Sequence, residues 1–279
     1  TLISMAISNL IDNAIKYSQK EVIVELSKEY ICIIDKGLGI QKKELENILI
    51  ADISCGCGGF LIDAVCYLKN KTKKNLFDIY ESNIYGIDIQ EYSIVRTKIL
   101  LCLLAIMENE DKEEFNFNLY SKDSLEFNIK DENLLVKQND GFDLILGNPP
   151  YVCSRNMDDK TKQLISTWSS CSTGHPDLYI PFFEIGYKLL SENGVLGYIT
   201  VNSFIKSLNG RAIRKYFEDN SVDLTIIDFE DEQIFTSRMT YTSICFLHKN
   251  GSNKIYYTSL RRSALKEKIS FNKFKYKDL

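Results

Sequence analysis

Short apolar runs that alternate with helical segments constrain the fold of this 279-residue chain more than any other feature. The runs are typical of strands buried on both faces and lie at 48–52, 84–89, 142–146, 195–201 and 222–229. The segments between them are typical of helices, at 61–69, 91–107, 177–190 and 211–217. Because the alternation contains no internal repeat, the sequence predicts an α/β domain built on one doubly wound sheet.

The composition narrows the class of protein and its compartment. Hydrophobic content of 44% and charged content of 26% are those of an ordinary globular protein. No apolar stretch is long enough to span a bilayer, and the longest, Ile99 to Met107, predicts a buried helix. The eight cysteines are scattered and both histidines are isolated from any cysteine pair, so we expect reduced thiols and no zinc site. Together with the absence of a signal-peptide pattern, this predicts a cytoplasmic protein with no membrane partner.

The stretch from Phe142 to Val152 carries the strongest chemical signal. Gly147 is expected to end the strand, and two prolines follow it that prevent a helix from starting. The sequence therefore predicts a stiff loop at the carboxyl end of a strand, where open α/β sheets bind their ligands. The Asn148 side chain and the Pro149 backbone carbonyl could accept from an exocyclic amino group, and an exposed Tyr151 ring could stack on its carrier. The alternative is a proline-rich loop with Tyr151 as ordinary surface cover.

The string Asn-Pro-Pro-Tyr directly after Phe-Asp-Leu-Ile-Leu resembles the catalytic motif of S-adenosylmethionine-dependent amino-group methyltransferases, above all the N6-adenine DNA methyltransferases. The resemblance implies a Rossmann-like class I methyltransferase fold and double-stranded DNA as the partner, with the target adenine flipped out of the helix. It also implies that the adenine amino nitrogen attacks the cofactor's methyl group, so that catalysis is mostly positioning. The catalytic residues implied are Asn148, Pro149, Pro150 and Tyr151.

A cofactor site is implied by three earlier segments. Ile53 to Phe60 is a glycine-rich turn into a helix that resembles motif I of these enzymes, with Ile53 in place of the usual proline. A carboxylate at the end of the next strand, Asp88, is typical of ribose recognition, and Asp123 occupies the place of motif III. Each acid taken alone would be an ordinary turn residue or helix cap. The cofactor-binding residues implied are Asp52, Cys55, Gly56, Gly58, Phe60, Asp88, Ile89, Asp123 and Ser124.

The second half of the chain distinguishes between methyltransferase families. Asn-Pro-Pro-Tyr also occurs in the glutamine methyltransferases that modify release factors. Asp177-Leu-Tyr, Asn202-Ser-Phe and an alternating strand at 240–247 resemble instead the restriction–modification adenine methyltransferases that carry a carboxyl-terminal target-recognition domain. Phe235 matches the position of an aromatic residue against the flipped base, although a core phenylalanine explains it equally well. Residues 191–194 predict a helix-ending turn.

The first 47 residues resemble a different family. An amphipathic helix is predicted over 2–17 and two strands over 20–26 and 30–34. Asn9 to Ser18 resembles the N box of sensor histidine kinases and their ATPase relatives, and Asp35-x-Gly37-x-Gly39 resembles their G1 box. By that analogy Asn9 and Asn13 would face Mg²⁺ and Asp35 would bind adenine. Because the second glycine box and the ATP lid are missing, we expect no kinase or ATPase activity.

The sequence thus predicts three regions: a partial ATPase fragment at 1–47, a methyltransferase domain at 48–250, and a basic tail at 251–279 that could begin a recognition domain. Seven Lys or Arg and one Glu lie between 261 and 277, in a chain whose net charge is −4. We therefore expect weak, salt-sensitive and largely sequence-independent DNA binding, against the alternative of a merely solvated tail. A separate recognition or restriction subunit would supply specificity. The competing hypothesis is a non-catalytic remnant that binds only cofactor or DNA.

Overall fold

A computed structural model describes the backbone at 23–26 and 31–34, and whole residues at 45–230, 241–249, 251–259 and 272–276. The amino-terminal part contains an antiparallel pair of strands, β1 (Ile23–Leu26) and β2 (Ile31–Ile34), in which Ile23 faces Ile34. This pair confirms the predicted strands. The predicted helix at 2–17 and the motif residues Asn9, Asn13 and Asp35 lie outside the described residues.

Nine further strands form one mixed sheet in the described part of the chain, in the order β11-β10-β8-β9-β7-β6-β3-β4-β5. All neighbours are parallel except where β9 and β11 pair antiparallel with the strands beside them. The strands are β3 (Ile50–Asp52), β4 (Ile84–Asp88), β5 (Asn118–Ser121), β6 (Phe142–Gly147), β7 (Leu190–Val201), β8 (Asp223–Asp228), β9 (Thr242–His248), β10 (Ile255–Ser259) and β11 (Asn272–Phe274).

Helices cover both faces of the sheet, as the alternating sequence pattern predicts. One hydrophobic core joins one face of the sheet to three helices, α1 (Gly59–Lys71), α2 (Leu76–Ser82) and α3 (Glu91–Met107). A second core joins the other face to five helices, α4 (Ile129–Glu132), α5 (Leu134–Gln138), α6 (Asp159–Ser166), α7 (Tyr179–Leu189) and α8 (Arg211–Asp219). Along β6, Leu144 and Leu146 enter the first core while Phe142 and Ile145 enter the second. This burial on both faces confirms the doubly wound α/β fold.

The structure corrects several details of the sequence interpretation. Residues 191–194 belong to β7 and form no helix-ending turn, since the chain leaves α7 in an extended conformation at Leu190. The register against β6 shifts between Phe142 and Leu144. The two strands lie so close there that a Cβ at Gly194 would be 2.6 Å from the Phe142 carbonyl oxygen. Strand β9 is buried on both faces and does not alternate, because it lies between β7 and β8. Four helices are absent from the sequence prediction, namely α2, α4, α5 and α6.

Two larger corrections concern the edges of the domain. Strands β10 and β11 extend the sheet past residue 250, so the sheet does not end where the sequence predicts. Helix α3 is only half buried, with Ile99 53% and Met107 77% exposed, because a single face of it packs against the sheet. None of the described helices is both long and apolar enough to cross a membrane.

Candidate active site

The site lies where the strand order reverses, between β3 and β6. At such a switch point the carboxyl ends of parallel strands open a crevice for ligands. Asp52 is the last residue of β3, and Asp88 is the last residue of β4. Gly147 is the last residue of β6 and pairs with Tyr198 of β7. A Cβ at Gly147 would come 2.9 Å from Asp52 Oδ1, so a larger residue would displace this carboxyl group. Gly147 therefore belongs to the strand, and it allows the close approach of β6 to Asp52.

Asp52 is a buried carboxyl group at the centre of this crevice. It is 1% exposed, and its Oδ1 accepts a hydrogen bond of 2.9 Å from the Ser54 amide. Burial raises the pKa of Asp52 to about 7, with a smaller contribution in the same direction from the charge of Asp88, while the Ser54 amide opposes the rise. Asp52 is therefore partly protonated near neutral pH, and a bound cation would favour its charged form.

The glycine-rich turn is fixed between β4 and α3. Gly58 has φ +79° directly before α1, and a Cβ there would lie 2.5 Å from Thr97 Cγ2. Thr97 Oγ1 also donates to the Gly56 carbonyl at 3.2 Å, and the Cys55 amide donates to the Ile87 carbonyl at 3.0 Å. Only glycine combines this left-handed backbone with so close a helix. Thr97 supports the glycine-rich turn, and the sequence interpretation missed this residue because a single threonine on an apolar helix gives no distinct signal.

Asp88, at the end of β4, connects this strand to the glycine-rich turn. Its Oδ2 accepts from the Gly56 amide at 2.9 Å and its Oδ1 from the Gln90 amide at 2.8 Å. Because a carboxylate can accept about four hydrogen bonds, capacity remains for the hydroxyl groups of a ligand. Ile89 beside it is 62% exposed and offers an apolar surface.

The other predicted cofactor residues divide into two groups. Cys55 and Phe60 are buried in the first core, so a ligand would meet the backbone at these positions. Ser124 Oγ donates to the Ile53 carbonyl at 2.6 Å, which ties the loop after β5 to the glycine-rich turn. Asp123 Oδ1 accepts from the Leu125 amide at 3.0 Å and thereby caps its own turn. In this structure the side chains of Ser124 and Asp123 therefore stabilise the loop after β5, at the edge of the crevice.

The Asn-Pro-Pro-Tyr loop follows β6 at the same edge. Asn148 Oδ1 is buried and accepts no hydrogen bond from the described residues. Tyr151 is half-buried, and its hydroxyl donates to the Ile199 carbonyl at 3.0 Å, so the prediction of an exposed ring is wrong. The Tyr151 ring packs edge-on against Tyr179, with ring centroids 6.5 Å apart. The loop thus presents a fixed aromatic ring next to an acceptor that lacks a donor.

Helix α7 and the segment before it hold the far end of this loop. The Ser154 amide donates to Asp177 Oδ1 at 3.2 Å, and the Leu178 amide donates to the Val152 carbonyl at 2.9 Å. The segment Asp177-Leu-Tyr therefore fixes the loop, a role that the sequence interpretation did not assign to it. Phe235, the other residue predicted at the base, lies outside the described residues.

Comparison with known proteins places this geometry in a family. The Eco57I restriction-modification methylase family matches residues 82–235, more than half of the chain. The chain is 28% identical to the type II restriction enzyme and methyltransferase RM.Eco57I of Escherichia coli, over 88% of this chain. It spans 29% of the length of that relative.

Solved structures share the fold. One of them is the type ISP restriction-modification enzyme LlaGI, in a nuclease-deletion form bound to a DNA substrate mimic. It superposes with a TM-score of 0.62 at 19% sequence identity, and the match covers 81% of this chain and 24% of the LlaGI chain. A Listeria monocytogenes protein described as a class I S-adenosylmethionine-dependent methyltransferase superposes with a TM-score of 0.60 at 19% identity, over 95% of this chain and 65% of that one. The fold is therefore that of the class I methyltransferases.

S-adenosylmethionine is the cofactor of this class, and the residues present fit it. A Cβ at Gly56 would meet nothing within 4 Å, so the glycine-rich turn borders open space there, and Asp88 retains acceptor capacity for hydroxyl groups. Asp52 places a carboxyl group beside Gly147 at the end of β6, and a carboxylate there would stabilise a cationic ligand. The match over residues 82–235, together with this crevice, shows that the chain belongs to the Eco57I restriction-modification methylase family.

Proposed function

We propose that this chain is the catalytic part of a DNA methyltransferase that transfers a methyl group to N6 of adenine within a restriction–modification system. The observation that carries the proposal is the buried Asn148 Oδ1, which lacks a donor and lies on the loop that also fixes Tyr151. A buried acceptor without a partner costs about 1–3 kcal/mol. An arriving amino group would supply the missing donor.

The comparisons support a DNA substrate without identifying the base. The Escherichia coli relative is a restriction enzyme and methyltransferase, and the LlaGI structure contains a DNA substrate mimic. Adenine presents an exocyclic amino group on a flat ring, which suits an acceptor beside an aromatic side chain. In duplex DNA that base must leave the helix to reach the loop. We expect a recognition unit outside this chain to select the sequence that is methylated.

The residues of the loop would act mainly by positioning. Asn148 Oδ1 and the Pro149 carbonyl would accept from the amino group and increase the electron density on its nitrogen. Pro149 and Pro150 hold the Pro149 backbone carbonyl in place because proline fixes φ near −65°. Tyr151 would hold the adenine ring, while its own hydroxyl is already engaged by Ile199. S-adenosylmethionine, when bound by the glycine-rich turn, Asp52 and Asp88, supplies the methyl group.

Replacing Asn148 with alanine tests the proposal. We expect transfer of labelled methyl groups to unmethylated plasmid DNA to fall by about 10²–10³-fold, the range seen when one catalytic hydrogen-bond partner is lost. Cofactor affinity, measured by isothermal titration, should not change. Because the buried acceptor has no donor to lose, the free energy of unfolding should stay constant or rise.

Asn156→Ala is the matched control, since Asn156 is exposed on the same connection. It should leave transfer at the wild-type rate. Unchanged transfer in Asn148→Ala would refute the assignment of the loop. Methyl transfer to protein but not to DNA would point instead to a glutamine methyltransferase. Cofactor binding without any transfer would support a non-catalytic remnant.

A further inference from the structure

A buried carboxylate at the end of β8 lies outside the site described so far. Asp228 is 7% exposed and sits at the same edge of the sheet as the catalytic loop. Its Oδ1 accepts from Asn202 Nδ2 at 2.8 Å and from the Glu230 amide at 3.0 Å. Its Oδ2 accepts from the Tyr257 hydroxyl at 2.8 Å. One side chain thus connects three separate parts of the chain.

Asp228 connects the end of β7 with β10, two strands that are not neighbours in the sheet. Asn202 begins the short 3₁₀ turn Asn202–Ile205 at the end of β7, and Tyr257 lies on β10. Glu230 has φ +52°, a left-handed conformation that costs a non-glycine residue about 1–2 kcal/mol. The bond from its amide to Asp228 helps to hold that conformation.

A continuous set of contacts leads from this carboxylate to the catalytic loop. The residue after Asn202, Ser203, forms a hydrogen bond of 3.0 Å with the Tyr179 hydroxyl. The Tyr179 ring meets the Tyr151 ring edge-on at 6.5 Å. Tyr151 is also anchored on Ile199, three residues before the same turn. The position of the turn therefore determines the surface on which Tyr151 rests.

We propose that Asp228 is a positioning residue for base binding, which fixes the turn at 202–205 through Asn202 and Tyr257 and thereby holds the Tyr151 ring in its working orientation. This inference rests on the proposed function of the Asn148–Tyr151 loop. It assigns Tyr257, in the segment predicted as a basic tail, to the catalytic unit.

The hydrogen-bond chemistry of the cluster makes the proposal testable by substitution of Asp228. The Asn202 side-chain amide and the Glu230 backbone amide both donate to Oδ1, so the residue at 228 must accept on that side. The Tyr257 hydroxyl on the other side can donate or accept. Burial, reinforced by the bond to Asp228, raises the pKa of Tyr257, which keeps its hydroxyl a donor. In Asp228→Asn the side-chain oxygen can still accept from Asn202 and Glu230, and the new amide group can donate to the Tyr257 hydroxyl. In Asp228→Ala all three hydrogen bonds are lost, and with them the connection between the turn at 202–205 and β10.

The first experiment is hydrogen exchange on the isolated chain, and it needs neither cofactor nor DNA. In Asp228→Ala, protection of the Asn202 amide, which donates to the Tyr241 carbonyl at 3.0 Å, should fall by about tenfold or more. Tyr257→Phe should give a smaller loss, and the conservative variant Asp228→Asn should keep most of the protection. Tyr276→Phe is the matched control, because it removes a buried tyrosine hydrogen bond to Val222 beside the opposite end of β8. Equal exchange in all four variants would overturn the proposal.

The second experiment measures methyl transfer to unmethylated plasmid DNA with the same variants. Asp228→Ala should lower kcat about tenfold or more while KM for S-adenosylmethionine stays constant, and Asp228→Asn should restore most of the loss. Wild-type kcat in Asp228→Ala would overturn the inference and leave the proposed function intact. A wild-type chain that binds cofactor but transfers no methyl group would refute the proposed function, and the exchange experiment would still decide the role of Asp228.

Discussion

Replacing Asp52 with asparagine should remove a pH dependence from the stability of the fold. Burial raises the pKa of Asp52 from its ordinary value of 3.8 to about 7. Between these two values the unfolded chain has released the proton and the folded chain still holds it. The unfolded state therefore binds fewer protons, and the free energy of unfolding falls as the pH rises through this interval.

The size of the effect follows from the two pKa values. At about 1.4 kcal/mol for each pKa unit, the complete interval corresponds to about 4 kcal/mol, and about 2.5 kcal/mol of it falls between pH 5 and pH 8. Asparagine keeps the oxygen that accepts from the Ser54 amide at 2.9 Å and never ionises. The free energy of unfolding of Asp52→Asn, relative to wild type, should therefore rise by about 2.5 kcal/mol between pH 5 and pH 8.

Reversible urea unfolding at pH 5 and pH 8 measures this difference. Asp159→Asn is the control, because it makes the same substitution at a side chain that is 99% exposed. A constant difference between Asp52→Asn and wild type would refute the reasoning, since it would show that Asp52 ionises alike in the folded and unfolded states.

Two further predictions concern stability and DNA affinity. Glu184→Gln should lower the free energy of unfolding by about 2 kcal/mol at neutral pH, because the 1% exposed carboxylate accepts from Ser170 and Lys188 at 2.7 and 2.6 Å. Burial raises the pKa of Glu184, but the hydrogen bonds from Lys188, Ser170 and Ser169 outweigh it and hold the pKa below its ordinary value of 4.5. Urea unfolding should therefore show the loss shrinking as the pH falls through the folded pKa, and a loss that persists in acid would contradict this. Replacing the four basic residues at 261, 262, 266 and 268 with glutamine should lower the slope of log K against log salt for binding to duplex DNA. The expected decrease is roughly 0.9 for each phosphate that these side chains neutralise. An unchanged slope would assign DNA binding to another part of the chain. Deleting 261–279 is the poorer test, because it also removes β11 and the buried Tyr276.

The order and type of most elements could be predicted from the sequence. Helix α3 runs from Glu91 to Met107 as its pattern predicts, and β4 ends at Asp88 as expected. Such predictions succeed because buried parallel strands and apolar helices are encoded by local periodicity. Helix α6 was missed because its stretch is polar and begins with an aspartate cap that reads equally well as a turn.

The candidate site could be predicted only in part. The residues that we propose to act on the ligands, such as Asn148 and Asp88, stand at strand ends that the sequence identifies. The residues that support the turn and the loop around them, such as Thr97 and Asp177, lie farther along the chain and reach the site only through folding. A single polar residue on a helix or loop gives no local signal for such a contact.

The sequence by itself determined the fold class, the position of the glycine-rich turn and the loop that contains Asn148 and Tyr151, because periodicity and motif spacing are properties of adjacent residues. Only the tertiary structure decided that Tyr151 is held by Ile199 and that β10 and β11 extend the sheet. It also decided that Asp52 is buried deeply enough for its pKa to reach about 7. Hydrogen bonding, burial and electric field at a residue depend on neighbours that are distant in the chain, and packing alone brings them together.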